Sequence, residues 1–198
     1  MNYLAHLLLS GNDIEVTVGN FIGDGVKGRI PTDLPPAMQN GVKLHRFIDG
    51  YADDHTVNLE MKTLLRPYFR KYAGVVLDMY HDHFLAMKWE TYGVGDLEGF
   101  LDNQFSAFEP HLDYFPPKVL RLYQGMREGG WLLKYRSFDG LGRAFAGISK
   151  RTRYESNMEN AIEVLEEHYD TLSDSFDLFF PDMVRDASSF RGDLLTTV

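Results

Sequence analysis

A chain of 198 residues, 44% hydrophobic and 25% charged, has the size and composition of one globular domain, which excludes a disordered chain, a collagen-like repeat and a membrane protein. Its 29 acidic residues against 20 basic ones give −9, which argues against nucleic-acid binding through general phosphate neutralisation. With no cysteine, disulfides, thiolate metal sites and thiol nucleophiles are excluded, whereas carboxylates for a cation are plentiful.

The opening run from Met1 to Leu9 is apolar, without a basic leader or cleavage-site pattern, and Asp13 and Glu15 follow at once. It reads as the first helix rather than an export signal. No run approaches the roughly 20 apolar residues that cross a bilayer, so a soluble cytoplasmic protein is expected. Asp13 can cap a second helix from Ile14 to about Val26, with Glu15 in its first turn. Gly19 and Gly23 share a face of it, where a neighbouring helix or a ligand can approach closely.

Pro31, Pro35 and Pro36 lead into a third helix, about Ala37 to Asp53. A fourth passes through Leu59 and Leu65 until Pro67 breaks or kinks it. The fifth, about Val75 to Thr91, is apolar nearly all round and is expected to be buried on more than one side. Asp96 can cap a sixth, and Pro116-Pro117 open a seventh. Trp131–Tyr135 and Leu141–Ile148 read as short helices, and Met158–Phe180 as a long acidic amphipathic one. Strand-like alternation is confined to residues 15–18 and 73–76. An all-α, single-domain helical bundle spanning residues 1–198 follows.

Three clusters gather titratable side chains. His45 and Asp49 lie one turn apart in the third helix, beside Arg46. They can ligate one cation together, the carboxylate can orient a ligating imidazole, or the two form a plain intrahelical pair. In Asp78-Met79-Tyr80-His81-Asp82-His83, the periodicity turns at least one of Asp82 and His83 inward. A buried ionised carboxylate needs a cation, a hydrogen-bond network or a raised pKa. Asp78 precedes Asp82 by one turn, and a divalent ion between them relieves the repulsion of like charges. Asn20 and Asp24 share a face of the second helix, where Asp24 is equally readable as a surface acid. His6, among leucines, reads as a core histidine unless the bundle brings it to the same place.

Phosphate-cradling, zinc-protease and nucleophile-elbow motifs are missing, as are the paired Glu-x-x-His motifs of di-iron bundles. Imidazole and carboxylate donors from separate helices suit Mn²⁺, Mg²⁺, Fe²⁺ or Zn²⁺. Such an ion activates water and neutralises phosphoryl oxygens, so phosphate-ester hydrolysis is the natural chemistry.

Met1-Asn2-Tyr3-Leu4-Ala5-His6-Leu7, Gly19-Asn20-Phe21-Ile22-Gly23-Asp24, His45-Arg46-Phe47-Ile48-Asp49 and Leu77-Asp78-x-x-x-Asp82-His83-Phe84-Leu85 closely resemble the bacterial acyl carrier protein phosphodiesterase family. The similarity continues through Trp131-Leu132-x-x-Tyr135 and His168-Tyr169 to Phe180-Pro181. The resemblance implies an HD-phosphohydrolase-like all-α fold and Mn²⁺-dependent hydrolysis of holo-acyl carrier protein, which releases 4′-phosphopantetheine. It implies His6, Asp24, His45, Asp82 and His83 as metal ligands, Asp49 and Asp78 as supporting groups or bases, and Arg46 as a phosphate clamp. His81-Asp82 also spells a His-Asp dipeptide, and the Asp-His-Phe-Leu pattern favours His83 over His81 as the ligand. An acidic carrier requires a local basic patch, for which Lys150, Arg151 and Arg153, or Lys118, Arg121 and Arg127, are candidates. The alternatives are an HD-like phosphohydrolase of nucleotides or small phosphate esters, and a non-catalytic helical binding module.

Overall fold

Twelve α-helices and four short 3₁₀ segments make up the described residues, 1–196, of a computed structural model, with no strand among them. Helix α1 spans Tyr3–Leu9, α2 Ile14–Ile22, α3 Pro36–Asp54 and α4 Thr56–Phe69. After these come α5, Ala73–Met87, α6, Trp89–Tyr92, α7, Leu97–Phe108, and α8, Pro117–Gly129. The last four are α9, Trp131–Lys134, α10, Phe138–Ser149, α11, Ala161–Glu167, and α12, Tyr169–Thr196. None is long and apolar enough to cross a membrane.

Local chemistry explains most boundaries. Asp13 accepts from the amides of Glu15 and Val16 at the start of α2, and Asp96 and Ser137 cap α7 and α10 in the same way. Pro36 and Pro117 are the first residues of their helices, where a missing N–H costs nothing. Several boundaries differ from the sequence expectation, among them that of the fifth helix, which stops at Met87 and gives way to the separate α6 instead of running to Thr91. Helix α2 stops at Ile22, and Gly23–Gly25 tighten into a 3₁₀ turn, as glycines spaced this closely favour. Pro67 stays inside α4 because it falls in the last turn and forfeits one bond only. The C-terminal stretch breaks at His168, then continues through Pro181 to Thr196, held by burial of Phe179, Phe180, Met183 and Ala187.

Helix α5 is the central post, with its residues from Met79 to Ala86 all buried. Helices α1, α4, α9 and α12 pack around it, so its apolar circumference is matched on every side. Full burial of a large apolar side chain contributes about 1.5–3 kcal/mol, which makes this helix the main source of cohesion. The most intimate pairing is α2 on α3. A Cβ on Gly19 would overlap the Met38 carbonyl, and one on Gly41 the Val16 carbonyl, so the two backbones touch where side chains are absent. Gly19→Ala should therefore destabilise the protein by about 2–3 kcal/mol by urea unfolding. A cost within about 0.5 kcal/mol would mean the helices can part freely.

Candidate metal centre

The α2–α3 contact, with α1 laid against α2, brings three ligand-capable side chains together. His6 comes from α1, and His45 and Asp49 from successive turns of α3. One ligand atom from each lies within 4.8 Å of the other two. Asp49 spans the imidazoles, with Oδ1 3.1 Å from His6 Nε2 and Oδ2 3.2 Å from His45 Nε2. The two rings stack with centroids 4.3 Å apart. A Cβ on Gly23 would overlap the His45 ring, so this glycine admits the imidazole to the cluster.

The hydrogen bonds behind His6 fix its tautomer. Asn20 Nδ2 donates to His6 O at 3.0 Å and to Ser10 Oγ at 2.8 Å, while Ser10 Oγ donates to His6 O. Asn20 must then present Oδ1, an acceptor, to His6 Nδ1 at 2.8 Å, and Nδ1 must carry the hydrogen. Burial pushes the His6 pKa down to about 4 despite the hydrogen bond to Asp49, so near neutral pH the ring is uncharged. Its Nε2 lone pair then faces a carboxylate oxygen, a contact between two acceptors that a proton or a bound cation would relieve. His45 Nδ1 is buried with no partner among the described residues, so its tautomer is set by what lies at Nε2.

Burial works to raise the Asp49 pKa, but the hydrogen bond from His45, with the Met1 ammonium nearby, opposes it and the carboxyl is held below the usual range. Two imidazole nitrogens and an ionised carboxylate, from two helices, form a donor set that fits a borderline or hard divalent ion. Adjacent ligand atoms about 2.1 Å from one ion stand about 3 Å apart, the separation present here. The half-open side of Asp49 leaves room for water or substrate.

Asp78 adjoins this cluster. The α-ammonium of Met1 lies 3.1 Å from Asp78 Oδ1 and 3.4 Å from Asp49 Oδ1, bridging the carboxylates of α5 and α3. Burial raises the Asp78 pKa, against the opposing pull of that ammonium.

The other residues singled out in the sequence lie elsewhere. Asp24 sits in the 3₁₀ turn, exposed and paired with Lys27 at 3.4 Å. Arg46 points away from His45, and its Nη2 donates to Val26 O and Gly28 O, tying down the loop after that turn. Asp82 is fully buried, but both its oxygens accept from α1, Oδ2 from Leu4 N at 2.9 Å and Oδ1 from Ala5 N at 3.1 Å. Asn2, in the cap position, makes no side-chain cap, so Asp82 caps α1 from a distant helix. Burial pushes its pKa up to about 7 against the pull of those amides. His83 Nδ1 donates to Tyr135 O at 2.6 Å, and its Nε2 is buried without a partner among the described residues.

His81 lies against Phe176 and Phe179 with both ring nitrogens unpartnered among the described residues. Burial holds its pKa well below the ordinary value of 6.5. As pH falls through 6.5, the unfolded chain takes up a proton that the folded one refuses, and stability is lost. His81→Phe should therefore add about 1–2 kcal/mol at pH 7, and about 2 kcal/mol more at pH 5, by urea unfolding. A gain that does not grow on acidification would contradict this account of the ring.

Fold and cluster together define an all-helical protein with a candidate two-histidine, one-carboxylate cation centre. The chain belongs to the acyl carrier protein phosphodiesterase family, whose sequence model matches residues 1–183. It is similar to the acyl carrier protein phosphodiesterase of Klebsiella pneumoniae subsp. pneumoniae, with 33% identity over 187 residues, 93% of this chain and 96% of that one. That of Photorhabdus laumondii subsp. laumondii is 28% identical over 193 residues, 96% of each chain. That of Yersinia pestis is 29% identical over 188 residues, 94% of this chain and 97% of its own. No solved structure matches the chain.

Proposed function

We propose that this protein hydrolyses the phosphodiester joining 4′-phosphopantetheine to the serine of a holo-acyl carrier protein, with His6, His45 and Asp49 as ligands of a divalent cation, Mn²⁺ foremost. The observation that carries the reading is the His6 Nε2 lone pair held 3.1 Å from an ionised Asp49 oxygen, since a positive ion is the natural occupant of that contact. The printed name of the relatives supplies the substrate class.

When bound, such an ion supplies an activated water and positive charge for the phosphoryl oxygens. The remaining work falls to the chain. Asn20 and Ser10 hold His6 in one tautomer, and Asp82 anchors α1 so that the imidazole does not drift. Water oxygen bonds to phosphorus, the phosphorus–serine oxygen bond breaks, one water proton stays with the phosphomonoester, the serine oxygen takes a proton from an acid, and the second water proton restores that acid. Asp49, held ionised, is a poor source of that proton. Asp78, with its raised pKa beside the cluster, suits the role. Asp24, Asp82, His83 and Arg46 stay outside the ligand set and the phosphate contacts.

The test is incubation with holo-carrier and Mn²⁺, followed by mass spectrometry. The carrier should lose its prosthetic group, and a chelator should stop the loss. Turnover of nucleotides or small phosphate esters, with the holo-carrier left intact, would overturn the reading.

A further inference from the structure

A cleft of about 900 Å³ runs between the α1 N-terminus and helices α8, α9 and α10. One end of it is formed by Asn2, Tyr3 and Met79, and Asn2 Nδ2 lies 2.8 Å from Met79 Sδ. Met79 follows Asp78 in α5, and Tyr3 lies one helical turn before His6 in α1, so this end is carried by the helices that bear His6 and Asp78. The wall is apolar, built from Leu122, Met126, Trp131 and Ile148, and α10 contributes the small residues Ala144 and Gly147.

The charge is the unexpected part. Lys118, Arg121, Lys134, Arg143 and Arg151 line the cleft against one acid, Asp24, in a chain whose overall charge is −9. All five are exposed. Among the described residues only Arg143 of the five has an ion-pair partner, Asp139. Both basic groups expected from the sequence contribute, Lys118 and Arg121 from one and Arg151 from the other. Arg127, by contrast, is committed to Glu109. A long apolar trough rimmed mostly by cations without an ion-pair partner among the described residues fits an extended, mostly uncharged chain that is joined to an acidic body.

We infer that this cleft is the docking site of the holo-carrier: the pantetheine arm lies along the Trp131 wall, its phosphodiester sits at the Asn2–Tyr3 end, and the acidic carrier surface meets the rim of Lys118, Arg121, Arg143 and Arg151. The inference rests on the reading under Proposed function for the identity of the partner, and its test separates the two. Binding of labelled holo- and apo-carrier is measured by fluorescence anisotropy on the full chain with metal chelated, and hydrolysis separately with Mn²⁺. The double variant Lys118→Glu, Arg121→Glu should weaken carrier binding at least tenfold and raise KM, with kcat and thermal unfolding unchanged. An added side chain at Gly147 has open space around its Cβ. Gly147→Phe should therefore fold, fill the trough and abolish the preference for holo- over apo-carrier.

A carrier that binds in this way and is never cleaved would support the docking site while ending the catalytic reading. Cleavage with binding and KM unmoved by the charge reversal would end the docking site and leave the catalytic reading standing. Equal binding of holo- and apo-carrier by the unaltered protein would also overturn it.

Discussion

Asp49→Asn is expected to lower hydrolysis of the holo-carrier at least about a thousandfold, roughly 4 kcal/mol in transition-state stabilisation. Among the described residues the carboxylate is the group that reaches both imidazoles, and its charge makes the pocket attractive to a cation. An amide of the same size keeps one acceptor oxygen, loses the charge, and turns an NH₂ toward one of the rings. Because the Asp49 side chain is 44% exposed, the variant should fold normally, and thermal unfolding should confirm it. Mn²⁺ titration followed by electron paramagnetic resonance should show the affinity falling together with the activity. Asp24→Asn is the internal control for the ligand set, expected to change kcat by no more than a few-fold, because that carboxylate pairs with Lys27 and lines the cleft rather than joining the histidines. If the Asp24 variant were the inactive one and the Asp49 variant the active one, the ligand assignment would be reversed.

Asp82→Ala is expected to cost about 4 kcal/mol of stability, a large effect for a single substitution. Two buried amides at the start of α1 lose their acceptor, and each orphaned donor costs about 1–3 kcal/mol. The missing carboxyl also leaves a void in the centre of the bundle. Since α1 carries His6, the damage should reach the candidate centre, with Mn²⁺ affinity falling in step with α1 order. Urea unfolding and amide hydrogen exchange at Leu4 and Ala5 read the two consequences separately. If stability were unchanged while metal binding alone was lost, Asp82 would be a ligand rather than a cap.

The helical periodicity carried most of the architecture. A nearly all-round apolar surface on the fifth helix implies burial on more than one side, and α5 is the central post. The shared face of Gly19 and Gly23 anticipated a close approach, which α3 makes. The site was less legible, for reasons that are tertiary. The periodicity requires at least one of Asp82 and His83 to point inward and suggests a divalent ion as partner; both are buried, and the donors to Asp82 are amides 77 and 78 residues away. Asn20 and Asp24 share a face only if the helix persists, and its end at Ile22 turns Asp24 outward while Asn20 stays buried. Arg46 neighbours His45 in sequence, and adjacent residues on a helix point about 100° apart. His6 had no local signal beyond its leucines. Its position follows from α1 lying against α2, which the hydrogen bonds to Asn20 secure.

Anomalous scattering at the manganese absorption edge, from crystals grown with Mn²⁺, measures the central claim most directly. A single strong peak bounded by His6 Nε2, His45 Nε2 and the Asp49 carboxylate is the predicted result. A peak placed instead against Asp24, Asp82 and His83, with the His6–Asp49 contact empty, would contradict it.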